Sequence, residues 1–119
     1  MTQLILLVDD DALALGVRRL VLEAARYEVL TASSASQALD YVSAQRFDLV
    51  ITDNTVTKSG QGLAAELRRL IPRLPVITLS GGSIPQHEFD PPDYFLHKLD
   101  GPEEMLAKVS SAILSSSQA

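Results

Sequence analysis

Five polar residues with chemically useful side chains follow short apolar runs of the sequence. Asp9 and Asp10 come after the first run, Asp53 after the third, Ser80 after the fourth and Lys98 after the fifth. An aspartate in such a place is most often a turn or helix-cap residue, and a lone serine or lysine is most often loop or surface. Their recurrence at successive run ends indicates one shared site.

The residue types suggest what chemistry that site could perform. Three carboxylates in one place would repel one another unless a cation joined them, and oxygen ligands without His or Cys suit a hard cation such as Mg²⁺. A planar phosphoryl group on Asp53 would find that cation, the ammonium group of Lys98 and the hydroxyl of Ser80 around its oxygens. The set therefore accommodates a phosphorylated carboxylate.

The apolar runs that position these residues are predicted to be strands. A short continuous apolar run bounded by turn or cap residues is typical of a strand buried on both faces of a sheet. The predicted strands are Leu4–Val8, Val29–Ala32, Leu49–Thr52, Val76–Leu79 and Tyr94–His97.

Amphipathic helices are predicted between the strands. Asp11 is placed to cap the first, and Ser34, with Gln37 three residues later, to cap the second. Pro72 stops the third and Pro102 opens the last. Apolar residues recur at helical spacing as Leu13, Val17, Leu20, Val21 and Ala24, then Ala35, Ala38, Leu39 and Val42, then Leu63, Leu67, Leu70 and Ile71, and finally Leu106, Val109 and Ile113.

This alternation predicts an α/β fold, a five-stranded parallel sheet with helices on both faces. In the flavodoxin-like strand order 2-1-3-4-5, the first and third strands are neighbours, so Asp9, Asp10 and Asp53 would meet at the carboxyl edge. Residues 81–93 contain three prolines, two glycines and no apolar face, so the fourth helix should be short or missing.

Length and composition restrict the other possibilities. A chain of 119 residues fits a single domain over 1–119. A net charge of −5 without a basic run argues against nucleic acid as a partner. The absence of cysteine excludes disulfides and catalytic thiols, and the run 4–8 is too short to span a membrane, so the expected location is the cytoplasm.

The order Asp9-Asp10, Asp53, Ser80 and Lys98 in five strand–helix units resembles the response-regulator receiver family of two-component signalling, over essentially the whole chain. The resemblance implies a domain that accepts a phosphoryl group on Asp53 from a phosphohistidine of a sensor histidine kinase or a histidine phosphotransfer protein. Such a domain is not an enzyme but an acceptor that assists its own phosphorylation and dephosphorylation.

The resemblance also implies a role for each matched residue. Asp10, Asp53 and the backbone carbonyl of Thr55 would hold Mg²⁺, with Asp9 acting largely through water. Ser80 and Lys98 would bind the phosphoryl group, and the switch residues would be Ser80 and Phe95.

The chain departs from the family pattern in two loops. Leu99 stands where the family usually has proline after the lysine, so that loop should differ. Thr57, the fourth residue after Asp53, stands where the family often has proline. Gly60 and Gly62 each lie one residue away from the family's usual glycine position, which indicates a loop lengthened by one residue.

Three other functions are weighed against this one. A degenerate receiver would keep the fold but act only as a binding module, without phosphorylation. Asp53–Thr57 partly resembles the nucleophile loop of haloacid dehalogenase-type hydrolases, but that loop needs a second acid where this chain has Thr55. A flavodoxin-like cofactor binder needs small polar residues in its first loop, where Asp9–Asp11 would repel phosphate.

Overall fold

The computed structural model describes residues 2–53, 62–80, 94–97 and 100–117. Its strands are β1 (Leu4–Val8), β2 (Glu28–Ala32), β3 (Leu49–Asp53), β4 (Val76–Ser80) and β5 (Tyr94–His97). They form one parallel sheet in the order β2-β1-β3-β4-β5. The predicted sheet and strand order are therefore confirmed.

Four helices connect and cover the strands within the described ranges. They are α1 (Ala12–Ala24), α2 (Ala35–Ala44), α3 (Leu63–Leu70) and α4 (Pro102–Ser117). The carboxylate of Asp11 accepts hydrogen bonds from the first-turn backbone of α1, and the hydroxyl of Ser34 accepts one from the Gln37 N–H at 3.1 Å. The caps predicted at these two residues are present, so both helices begin where the sequence indicates.

Side chains alternate between the two faces of the sheet, and each face packs against two of the helices that the structure describes. Alternation follows from the two-residue repeat of a strand. One layer combines the sheet with α1 and α4, and the other combines it with α2 and α3, which confirms helices on both faces. The first layer includes Ile5, Leu7, Leu15, Leu22, Ile51, Ile77 and Val109, and the second includes Leu6, Val8, Ala35, Ala38, Val50, Leu63 and Leu67.

The buried face of α1 is not the one that the apolar spacing indicates. Leu13, Val17 and Leu20 are 77%, 55% and 69% exposed, whereas Leu15 and Leu22 are buried in the first layer. The helix carries apolar residues on more than one side, so apolar spacing alone could not identify the packed side. Of the residues that this spacing was expected to bury, Val21 does pack against the first layer, but the expectation for Leu13, Val17 and Leu20 was wrong.

The C-terminus of α1 closes through a left-handed residue that is not glycine. Arg26 has φ of 74°. Its N–H donates to the carbonyl of Glu23 at 2.9 Å, and the Tyr27 N–H donates to the carbonyl of Leu22 at 3.1 Å. These two bonds are those of a Schellman motif. Leu22 belongs to the first hydrophobic layer, and Tyr27 packs against the same layer.

The predicted loss or shortening of a helix between β4 and β5 falls on residues 81–93, which lie outside the described residues. Across the ranges that the structure does describe, no helix has the length and apolar character needed to cross a membrane.

Candidate functional site

Two neighbouring inner strands, β1 and β3, bring the acidic residues to one edge of the sheet. β1 and β3 are parallel neighbours, with Val8 opposite Thr52, so Asp9 and Asp53 come at the same level. Asp53 is the last residue of β3 rather than the first loop residue, one position later than the predicted strand end. The carboxyl ends of parallel strands therefore place the acids together, as the topology requires.

The carboxylates of Asp9, Asp10 and Asp53 form a compact cluster. One oxygen from each lies within 4.8 Å of the others. Asp9 and Asp53 are 2% and 7% exposed, whereas Asp10 is exposed to solvent. Two buried acids beside an exposed third concentrate negative charge at this edge of the sheet, called here the acidic pocket.

A guanidinium group and a backbone amide hold the Asp9 side chain. Arg18 Nη1 lies 2.9 Å from Asp9 Oδ2, and the Arg18 side chain is only 16% exposed. The Asp11 N–H donates to Asp9 Oδ1 at 2.9 Å. Both carboxylate oxygens of Asp9 thus accept a hydrogen bond from the chain itself, and one of these bonds is charge-assisted.

A buried hydroxyl fixes the backbone beside the second acid. The Thr52 hydroxyl donates to the carbonyl oxygen of Asp53 at 2.9 Å. Thr52 is buried and stands opposite Thr78 in the β3–β4 register. This local bond contributes to the orientation of the chain where β3 ends.

The donor set fits a magnesium ion. Three carboxylates supply oxygen atoms only, and hard cations such as Mg²⁺ prefer oxygen ligands and retain several waters. The exposed Asp10 leaves a side of the cluster accessible to those waters. The residues present are therefore compatible with the cation that the sequence indicates.

The other predicted site residues are described in part or not at all. Ser80 ends β4 with its backbone opposite His97, and Phe95 stands in β5 opposite Thr78, but neither side chain is described. Lys98 and Thr55 lie outside the described residues. The structure therefore brings together the three acids and does not place the remaining members of the predicted site.

Arg18 is a member of this cluster that spacing from the strands did not predict. The sequence feature that could have identified Arg18 is its position between Leu15 and Leu22 on the buried side of α1. An arginine in such a place needs a negatively charged partner, which is Asp9. Because the wrong side of α1 was taken as the core face, Arg18 could not be recognised as an inward-facing residue.

Comparison with known proteins relates the chain to one family. The sequence profile of the response regulator receiver domain matches residues 5–89. The transcriptional regulatory protein GlrR of Escherichia coli (strain K12) is 40% identical over 83 residues, which cover 68% of this chain and 19% of GlrR. The two-component response regulator ARR10 of Arabidopsis thaliana is 35% identical over 85 residues, which cover 70% of this chain and 15% of ARR10. The chain thus spans less than a fifth of the length of these relatives.

Solved structures support the same fold. The signal receiver domain of an HD domain-containing protein from Pseudomonas fluorescens Pf-5 superposes with a TM-score of 0.89 and 22% identity, over 100% of both chains. The profile covers well over half of the chain, and the strand order and the relatives agree with it. The chain belongs to the response regulator receiver domain family of two-component signal transduction.

Proposed function

We propose that Asp53 accepts a phosphoryl group from a phosphohistidine, and that the phosphorylated domain changes its contacts with other proteins. The observation that carries this proposal is the cluster of Asp9, Asp10 and Asp53 carboxylates at the end of two neighbouring strands. A carboxylate that must act as a nucleophile needs compensation for nearby negative charge, and the cluster provides oxygen ligands for a cation that supplies it.

The chemical step is a direct transfer between two proteins. A carboxylate oxygen of Asp53 forms a bond to phosphorus while the phosphorus–nitrogen bond of the donor breaks, and its electron pair returns to the donor imidazole. Lys98 and Ser80 would bind oxygens of the transferred group and so balance its charge. Movement of Ser80 towards that group, with Phe95 nearby, would carry the change to the domain surface.

Magnesium would be held by Asp10, Asp53 and the backbone carbonyl of Thr55, with Asp9 contributing through water. When bound, the ion supplies positive charge to the phosphoryl oxygens during transfer. The chain's own residues orient the acceptor: β3 fixes the backbone of Asp53, and the Thr52 hydroxyl bonds its carbonyl.

A protein donor fits the surface beside the cluster. Leu13, Val17 and Leu20 are exposed along α1, directly after the acidic loop. Leu13 and Val17 also line a groove of about 340 Å³ between α1 and the start of α4. Exposed apolar patches of this kind are typical of protein contact sites, which supports a kinase or phosphotransfer protein as the donor.

The proposal covers the receiver domain and not a longer protein. Residues 1–119 would form one domain that acts in the cytoplasm as an acceptor that assists its own phosphorylation and dephosphorylation, and not as an enzyme with a separate substrate. GlrR is named as a transcriptional regulator, but a net charge of −5 argues against nucleic acid as a partner of these 119 residues themselves.

The test is phosphorylation by acetyl phosphate with Mg²⁺, read as intact mass. The wild type should gain one phosphoryl group, and removal of Mg²⁺ with a chelator should largely prevent the gain. Asp53→Asn should gain none. Asp40→Asn is the matched control, since it removes an exposed acid of α2, and it should behave as the wild type.

Two results would contradict the proposal. If Asp53→Asn gains the group as readily as the wild type, the acceptor is a different residue. If the folded wild type gains no group from acetyl phosphate or from a phosphohistidine protein, the domain is a binding module without phosphorylation.

A further inference from the structure

Arg18 occupies a place in α1 that an apolar residue would ordinarily fill. It lies on the same side of the helix as Leu15 and Leu22, which are buried against the sheet. A guanidinium so placed loses much of its hydration and needs a compensating anion. Asp9, itself 2% exposed, provides it at 2.9 Å. The pair is therefore a built feature of the acidic pocket and not a surface contact.

The pair affects how Asp9 can serve a cation. One Asp9 oxygen accepts from Arg18 and the other accepts from the Asp11 N–H. A cation that took an Asp9 oxygen directly would have to compete with one of these donors. Asp10 is exposed and therefore more accessible to a hydrated ion. The contacts thus separate the acids into one restrained by protein donors and one open to solvent.

The charges give a second reason for competition. Arg18 brings a positive charge into the pocket, with its Nη1 2.9 Å from an Asp9 oxygen. Without Arg18 the pocket would be more negative and would attract a cation more strongly, because opposite charges interact strongly where water is partly excluded.

We propose that Arg18 is a positioning residue that lowers the affinity of the acidic pocket for Mg²⁺, by holding Asp9 on its guanidinium and out of direct contact with the ion. The proposal rests on the function proposed above, since it concerns the same pocket. Its consequence is a pocket that is stable without metal and that takes up Mg²⁺ reversibly.

The test measures Mg²⁺ binding itself, by isothermal titration calorimetry, and needs no phosphorylation. Arg18→Met retains an unbranched side chain of moderate length and removes the charge. We expect its dissociation constant to fall about fivefold to thirtyfold relative to wild type, which is about 1–2 kcal/mol at 1.4 kcal/mol per tenfold. Arg19→Met is the matched control, since it removes the same charge one residue later, where the arginine pairs with Glu23 at the surface. It should change the constant by less than about twofold.

A second pair of variants tests whether Arg18 acts through Asp9. In the Asp9→Asn chain, Arg18→Met should alter Mg²⁺ affinity clearly less than it does in the wild-type chain, because the anion that the guanidinium holds is gone. Arg18→Lys retains the positive charge and should stay near wild type. Circular dichroism without metal checks the fold of each variant. If the Arg18→Met chain does not fold, Arg18→Gln takes its place, since glutamine keeps a hydrogen-bond donor without the charge.

The outcomes separate this inference from the proposed function. Equal affinities in Arg18→Met and Arg19→Met, or weaker binding in Arg18→Met, would overturn the role of Arg18 and leave the acceptor role of Asp53 intact. The same full effect of Arg18→Met with and without Asp9 would show that the guanidinium does not act through Asp9. If the wild type binds no Mg²⁺ at millimolar concentration, the role of the metal in the proposed function is wrong. The proposed role of Arg18 is then wrong as well.

Discussion

At the scale of single residues, Arg26 shows a conflict between side-chain type and backbone conformation. Its φ of 74° lies in the left-handed region, where glycine is favoured because it has no Cβ. The Schellman bonds at the end of α1 require that conformation, and the chain meets the requirement with arginine. The steric cost of a left-handed residue with a Cβ therefore lowers the stability of the folded state.

Replacing this residue should stabilise the protein. We expect Arg26→Gly to raise the free energy of unfolding by about 0.5–1 kcal/mol, because relief of the left-handed strain outweighs the added freedom of the unfolded chain. Urea denaturation followed by circular dichroism measures it. Arg26→Ala removes the same charge but keeps a Cβ, so it should bring no gain. If Arg26→Ala raises the free energy of unfolding as much as Arg26→Gly does, the cause is the loss of charge and not the backbone conformation.

At the scale of elements, α1 shows where apolar spacing cannot identify a packing face. Its sequence carries Leu13, Val17 and Leu20 on one side and Leu15 and Leu22 on another, and only the second set is buried. Packing against the sheet decides between them. Two leucines of the same helix thus differ sharply in environment while sharing the same helix propensity.

Matched substitutions in α1 should reveal this difference. Leu22→Ala should lower the free energy of unfolding by about 2–5 kcal/mol, because it removes a fully buried side chain and leaves a cavity. Leu20→Ala should change it by less than about 0.5 kcal/mol, since that side chain is 69% exposed. Chemical denaturation of both variants gives the comparison. Equal losses would mean that the two sides of α1 are packed to a similar extent.

The sequence predicts the strands and caps better than it predicts the site's interior. A continuous apolar run buries its side chains on both sides only in a sheet that is covered on both faces. The caps at Asp11 and Ser34 depend only on hydrogen bonds to nearby backbone groups. The meeting of Asp9 with Asp53 follows from topology alone. Arg18 could not be predicted in the same way, because its partner depends on which side of α1 packs inward.

At the scale of the whole molecule, two hydrophobic layers share a single sheet. Tyr27 packs against the layer formed with α1 and α4, and Tyr41 packs against the layer formed with α2 and α3. Tyr41 also meets Phe47 edge to face, with ring centroids 6.5 Å apart. The two tyrosines therefore report on opposite faces of the same strands.

The two layers should unfold together. In a chain that keeps Tyr27 as its single tyrosine, and in another that keeps Tyr41, the fluorescence midpoints in urea should each coincide with that chain's midpoint from circular dichroism. The physical reason is that neither layer can lose its helices without exposing the shared sheet. Separate midpoints within one chain would show that one face melts first and would contradict a single cooperative domain over 1–119.

The interior position of β1 in the sheet has a consequence for the newly made chain. β1 is synthesised before the other four strands of this sheet, yet it is hydrogen-bonded on both sides, to β2 and to β3. Its second partner ends at Asp53, before half of the 119 residues have been made. All three acids of the cluster are thus synthesised before Ser80 and Lys98, the two residues proposed to bind the phosphoryl group. If the inner strands pair as the chain is made, the acidic half of the proposed site forms before the half that would bind phosphate.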